Sequence, residues 1–409
     1  MIMMRFSQFI LFCSCVFLTV SSCSDSKPTR DGDHGEFKSI PTINIQTTGG
    51  NIPWDKKESC TAFYMYKGDT IEISARIKCR GGMSSRYDKH SYSIEFDKYL
   101  KIGDSPADDD WILNASYIDK TFQRHKLSYD LFRQMDSNNV AAECQYIRVM
   151  LNGNYQGLYI AMQEINGSMI GLDKKNPNAM LFKDPPIFYE ERLENPQDPN
   201  NYYQQKFPKI GDSPRTQFLD EFNTFLFHTS DEEFEELIND WVDIESVIGW
   251  HLILLLSNND DGLFKNFYLY KINADSPMRF AIWDYDHSYG RDGDGTVNMM
   301  NPNGEVDCHK IILLKRLLES ETLGYGKKLS QKWYALEAAG TFTLDNIERM
   351  IDENTRLLDD HQIENFEKWP VESEWYEDKK DYDAEIRLMK RYFEKRFKFL
   401  EQYMIALNQ

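Results

Sequence analysis

The 409-residue chain is 41% hydrophobic and 14% aromatic, and its 66 acidic residues outnumber 47 basic ones for a formal net charge of −19. That apolar share is enough to fill a large core or two lobes. The acidic balance argues against nucleic acid as a partner, which calls for a basic face; it suits a basic protein or a cation, and is equally at home on an ordinary soluble surface.

Residues 1–22 read as an export signal. Arg5 supplies the positive start, Phe9 to Val20 the apolar stretch, and Val20-Ser21-Ser22-Cys23 the small residues leading into a cysteine. This predicts a lipoprotein signal peptide cleaved before Cys23, acylation of its thiol, and a lipid-anchored protein of the cell envelope, since several acyl chains hold stably in a membrane. The alternative is an ordinary secretory signal in which Cys23 is incidental. Residues 23–39 are polar, with Gly and Asp, and read as a flexible tether. No later stretch reaches the roughly 20 apolar residues of a membrane span. Cys60, Cys79, Cys144 and Cys308 are scattered, without a C-x-x-C pair for zinc. An exported compartment permits disulfides among them, and buried free thiols fit the spacing as well.

Residues 40–165 are predicted to be β-rich. Ile71, Ile73, Ala75, Ile77 and Cys79 alternate with polar residues, and Tyr92, Ile94 and Phe96 repeat the pattern of half-buried strands. Between them, Arg80-Gly81-Gly82-Met83-Ser84-Ser85 allows a tight turn whose backbone N–H groups could cradle phosphate; a plain strand connection is the simpler reading. Asp119 to Met135 reads as a helix capped by Asp119, with Leu127, Leu131 and Met135 on one face. Asn152-Gly153 marks a hairpin between 146–151 and 155–165. From 166 to 409 helices dominate, expected at 216–228, 231–256, 310–320, 326–338, 343–358 and 382–406. The stretch 184–214, rich in Pro, Asn and Tyr, reads as a surface insertion.

The chemistry concentrates between 250 and 286. Trp250 to Leu256 is an apolar run read as a buried helix, ending in the turn formers Ser257-Asn258-Asn259-Asp260. Asp261, then after four intervening residues Asn266, the short strands Phe267-Tyr268-Leu269-Tyr270 and Phe280-Ala281-Ile282-Trp283, and finally Asp284-Tyr285-Asp286 follow in order. Helix, acidic loop, hairpin, acid is the order by which a protein kinase presents a catalytic acid, a metal-binding amide and a metal-binding Asp. A solvated acidic rim is the plain alternative. Arg291-Asp292-Gly293-Asp294-Gly295 lacks the register of a calcium loop. The histidines, His125 among them, show no i, i+4 metal pair on one helix.

Five separated motifs, spanning roughly residues 40–405, resemble the CotH kinase family. They are Arg80-Gly81-Gly82-Met83-Ser84-Ser85 with Lys89-His90-Ser91-Tyr92; Trp111-Ile112-Leu113 with Asp119 and Arg124; Leu151-Asn152-Gly153-Asn154-Tyr155-Gln156-Gly157-Leu158-Tyr159 running to Glu164; Asp261 with Asn266-Phe267-Tyr268-Leu269-Tyr270; and Trp283-Asp284-Tyr285-Asp286 with Gly290. The resemblance implies an α+β, bilobal, atypical protein-kinase-like fold, with a β-rich N-lobe and a mainly helical C-lobe, that uses ATP and Mg²⁺ or Mn²⁺ to phosphorylate Ser or Thr of a protein. It implies Asp261 as the catalytic acid, and Asp284 with Asn266 as metal ligands. Asp286 either joins the metal shell or caps the next turn. Lys89 and Arg80 are the candidate phosphate-binding cations, although the family usually shows two adjacent lysines where this chain has Lys89-His90. Glu164 would meet a cation or the nucleotide at the lobe junction, or make a structural salt bridge. A non-catalytic surface binding protein and a metal-dependent phosphoester hydrolase remain open on the same residues.

Overall fold

Alternating apolar and polar residues build the first seven strands and close them into a barrel. The computed structural model describes residues 39–190, 204–209, 211, 214–292, 297–370 and 381–408. The predicted signal peptide, Cys23 and the tether up to residue 38 lie outside the described residues, as does much of the predicted insertion. The barrel strands are β1 (Thr42–Thr47), β2 (Glu58–Tyr66), β3 (Asp69–Arg80), β4 (Ser91–Leu100), β5 (Asp108–Asn114), β6 (Cys144–Leu151) and β7 (Asn154–Gln163). They neighbour one another in the order β1-β2-β3-β4-β5-β7-β6, and β1 returns to β6 in parallel with Ile43 opposite Val149. Closure leaves no exposed edge. Ile43, Ile77, Ile94, Trp111, Ile147 and Val149 fill the interior. Ile71, at the head of the expected alternation, is exposed instead. Asn152 and Gly153 both take positive φ (49° and 79°), which a two-residue hairpin turn of this hand requires.

The second half is helical around a smaller sheet. Its helices are α2 (Gly167–Ile170), α3 (Thr216–His228), α4 (Asp231–Trp241), α5 (Ile244–Ser257), α6 (Asp261–Phe264), α7 (Val297–Met300), α8 (Ile312–Glu319), α9 (Tyr325–Ala338), α10 (Leu344–Lys368) and α11 (Tyr382–Leu407), with α1 (Arg124–Met135) reaching them from the barrel side. The sheet runs β11-β10-β8-β9, from β8 (Met180–Lys183), β9 (Gln205–Phe207), β10 (Phe267–Lys271) and β11 (Arg279–Ile282). The apolar run 250–256 lies in α5, buried from Ser246 to Ser257. Trp250 stacks on Phe280 of β11 at 4.5 Å between ring centroids. No helix among the described residues is long and apolar enough to cross a membrane. Cys60, Cys79, Cys144 and Cys308 are buried free thiols.

Several expectations are corrected here. The chain is α+β, β-rich first and helical second, but its first sheet is a closed barrel, because β1 finds a partner in β6, and no explicit bilobal kinase fold is formed. The helix expected over 231–256 breaks at Val242-Asp243. There the backbone bonds to Met278 on both sides, and Asp243 caps α5 by accepting from Ser246 N–H at 3.0 Å. The helix expected from Asp119 starts at Arg124, while the Asp119 carboxylate accepts from Arg124 N–H at 2.9 Å. The helix expected to end at 358 runs on to Lys368, with no breaker before Pro370. The predicted insertion contributes β9 to the second sheet.

Lys89 also changes role. Its side chain is buried, and its ammonium donates to Ala115 O (2.7 Å), Leu158 O and Asn365 Oδ1 (3.0 Å), with the Tyr159 ring 4.4 Å away. It is a staple between barrel and α10 rather than a cation open to phosphate. Gly157 completes the staple. A Cβ there would meet Asn365 Oδ1 and Lys89 Cε at 2.8 Å, and its φ of +128° suits only glycine. Trp369 Nε1 donates to Gln156 O at 2.6 Å beside it.

Gly157→Ala combines a backbone misfit with a steric one and should cost about 2 kcal/mol or more in urea denaturation. Burial pushes the Lys89 ammonium well below its ordinary 10.5. Between that lowered value and 10.5 the unfolded chain holds a proton that the folded chain lacks, so stability rises with pH in this window. The stability of the wild type relative to Lys89→Met should therefore grow as pH climbs towards 10.5; a gap independent of pH would show that the three acceptors keep the ammonium charged in the fold.

Candidate functional site

The site forms where β10 and β11 begin and end together. Phe267 pairs with Ile282, so the residues just outside, Asn266 and Trp283, face each other, and Trp283 N–H donates to Asn266 O at 3.0 Å. Asp284 follows directly. Asn266 (φ 65°) and Asp284 (φ 60°) both hold the left-handed conformation, uncommon for non-glycine residues although Asn and Asp tolerate it best, and here held in place by their surroundings. For Asn266 the agent is Asp184, just after β8: its carboxylate accepts from Asn266 N–H at 2.7 Å and Phe267 N–H at 3.3 Å. Burial raises the Asp184 carboxyl, and Lys183 and those two N–H groups pull it back.

For Asp284 the agent is α1. Tyr129 Oη accepts from Asp284 N–H at 2.9 Å, and one helical turn earlier His125 Nδ1 accepts from Tyr285 N–H at 3.1 Å. Potential ligand atoms of His125, Asp284 and Asp286 all lie within 4.8 Å of one another. Burial, and then the charge of Asp284, raise the Asp286 carboxyl above its ordinary value, and His287 opposes this. Asp286 Oδ1 also accepts from His287 N–H at 3.1 Å, so the local cap and the convergence on Asp284 coexist.

Asp261 opens α6, a single helical turn ending just before Asn266. Its carboxylate, about a third exposed, lies 3.0 Å from Lys265 Nζ. Gly262 lets this turn press against α5: a Cβ would fall 2.5 Å from Leu254 Cδ2 and 3.4 Å from Tyr285 Oη. Behind it Asn258, in the left-handed region (φ 53°), ends α5 and donates to Asn298 O, Met299 O and Asn301 O. Arg396 of α11 donates to Leu255 O, Pro302 O and Gly304 O, tying the same loop down from the other side.

Cations gather beside Trp283. The Arg80 guanidinium and the Lys183 ammonium each lie 5.8 Å from its ring centroid. Lys206 of β9, an exposed side chain, lies within electrostatic range of both: partial burial of its ammonium lowers it, the charges of Lys183 and Arg80 lower it further, and Glu164 and Asp184 work against this. Tyr268, packed edge-on to Trp283, feels Glu164, Arg80, Asp184 and Asp284 together. The fold thus brings Arg80, Glu164, Asn266, Asp284 and Asp286 into one neighbourhood, while Lys89 is held at the α10 junction. Sequence reading missed Lys183, Asp184, Lys206, His125 and Tyr129. The Lys183-Asp184 pair at the edge of the supposed insertion was the one available signal; no pattern links the others to Asp284 along the chain.

The model of the family described as CotH kinase protein matches residues 77–400. Among curated proteins, the inner spore coat protein H of Bacillus subtilis (strain 168) is 24% identical over 275 residues, covering 63% of this chain and 70% of that protein. The family match takes in the barrel from the last residues of β3 onward, α1, the β10–β11 acids and most of α11. This chain belongs to the CotH kinase protein family.

Proposed function

We propose that this protein is an exported, lipid-anchored, kinase-like enzyme that transfers the γ-phosphoryl group of ATP to a Ser or Thr hydroxyl of a protein. The observation that carries the reading is a pair of carboxylates within reach of one cation, Asp284 and Asp286, in a neighbourhood where two positive side chains, Arg80 and Lys183, lie over Trp283 and Lys206 feels the charge of both. A metal-bound polyphosphate needs both. Carboxylate oxygens suit Mg²⁺ or Mn²⁺, and a divalent cation would offset both the burial and, after it, the Asp284 charge that raise Asp286.

In this reading Asp284 and Asp286 hold the metal, with Asn266 as companion. When bound, the metal neutralises charge on the phosphate oxygens. Arg80, Lys183 and Lys206 spread the charge of the leaving phosphates, with Glu164 fixing the cations. Asp261 orients the acceptor hydroxyl and takes its proton as oxygen bonds to the γ-phosphorus and the bond to the bridging oxygen breaks. Cys23 carries the lipid that keeps the protein at the cell envelope. A relative named as a coat protein supports a second reading, a non-catalytic surface-binding protein on the same fold.

Asp261→Asn should lower label transfer from ATP to protein by about 10²- to 10⁴-fold with the fold intact; full transfer by a folded variant would sink the mechanism. Calorimetry with ATP and Mg²⁺ or Mn²⁺ should show binding that Asp284→Ala abolishes. Absence of binding by well-folded wild type selects the surface-binding reading, and phosphate release without an acceptor selects a hydrolase. Lys183→Met and Lys206→Met should each weaken ATP binding about tenfold, roughly 1.4 kcal/mol, whereas Lys89→Met should act on stability instead.

A further inference from the structure

The contacts of His125 decide which chemical role its ring can take at the acid pair. Its Nδ1 accepts a hydrogen bond from Tyr285 N–H at 3.1 Å. A backbone amide can only donate, so Nδ1 must present a lone pair, and the ring proton sits on Nε2. Nε2 is buried, has no hydrogen-bond partner among the described residues, and lies 3.8 Å from Asp284 Oδ1. A buried donor aimed at a carboxylate and left just beyond bonding distance is an unmade interaction, and completing it is favourable.

We infer that His125 serves the metal centre as an N–H donor to the Asp284 carboxylate, and not as a metal ligand, even though its nitrogen lies within ligand range of Asp284 and Asp286. Ligation through Nε2 would require the proton to move to Nδ1, where it would point at the Tyr285 N–H, donor against donor. The same constraint excludes the imidazolium. As a positioning residue, His125 donates to the Asp284 oxygen turned away from the metal and fixes which oxygen faces the cation. Tyr129, one turn along α1, holds the Asp284 main chain at the same time. The helix therefore grips backbone and side chain of one left-handed residue from a single face. The inference rests on the metal reading above.

The test uses the full chain loaded with Mn²⁺. Pulsed electron paramagnetic resonance should show no nitrogen bound directly to the ion. His125→Phe, which removes the donor, should weaken Mn²⁺ binding by about 10- to 100-fold. His125→Gln, whose amide N–H can stand near the Nε2 position, should recover much of that loss, and circular dichroism should show both variants folded. A directly coordinated nitrogen overturns the donor role while leaving the metal centre standing. Equal Mn²⁺ affinity in His125→Phe and wild type also overturns it. No Mn²⁺ binding by the wild type sinks the metal reading itself, and this inference with it. If the phenylalanine variant does not fold, the spectrum of the wild type and the affinity of the glutamine variant still decide.

Discussion

A cluster of buried charge holds the site's elements in register. Arg124, the first residue of α1, pairs with Asp119 at 2.5 Å, donates through Nε to Ser288 O at 2.9 Å, and approaches Glu385 at 3.7 Å. Glu385 in turn accepts two-pronged bonds from Arg291. Asp119 precedes α1, Ser288 and Arg291 lie in the segment after Asp284, and Glu385 stands in the first turn of α11. Charges removed from water are tolerated only when paired and hydrogen-bonded in good geometry. The cluster therefore penalises any arrangement in which α1, the 284–292 segment and α11 separate, and it lends the site a fixed frame at the cost of desolvating four ionic groups.

That frame makes local strain affordable. Asn266 and Asp284 both sit in the left-handed region, a conformation that costs a non-glycine residue about 1–3 kcal/mol. Each is imposed by an acceptor from elsewhere in the chain: Asp184 for Asn266, Tyr129 and His125 for the Asp284-Tyr285 amides. The strain is confined to the residues whose direction matters for chemistry, as expected where function sets the geometry.

Charge balance around Trp283 follows a similar logic. Arg80 comes from the end of β3, Lys183 from β8 and Lys206 from β9, and each repels the others. Glu164 and Asp184 moderate that repulsion without cancelling it. A cluster of like charge with incomplete compensation suits a polyanion better than a closed salt-bridge network would. Lys89 illustrates the contrast. Its ammonium is satisfied by two carbonyls and an amide oxygen, so it locks barrel to helix and has nothing left to offer a ligand.

Much was readable in the chain alone. Strand alternation at β3 and β4, the Asn152-Gly153 turn, the buried run of α5 and the order Asp261, Asn266, Asp284 depend on spacing of a few residues, where backbone periodicity and sterics act directly. The break at Asp243 escaped because both flanks favour helix and only a distant bridge to Met278 interrupts it. The closure of the barrel, the burial of Lys89, the arrival of Lys183, Asp184 and Lys206, and the grip of His125 and Tyr129 on Asp284 were decided by tertiary structure. Each joins residues separated by tens to hundreds of positions through a hydrogen bond or a charge. Such contacts carry no period along the sequence, and they exist only once packing of the core has brought the partners together.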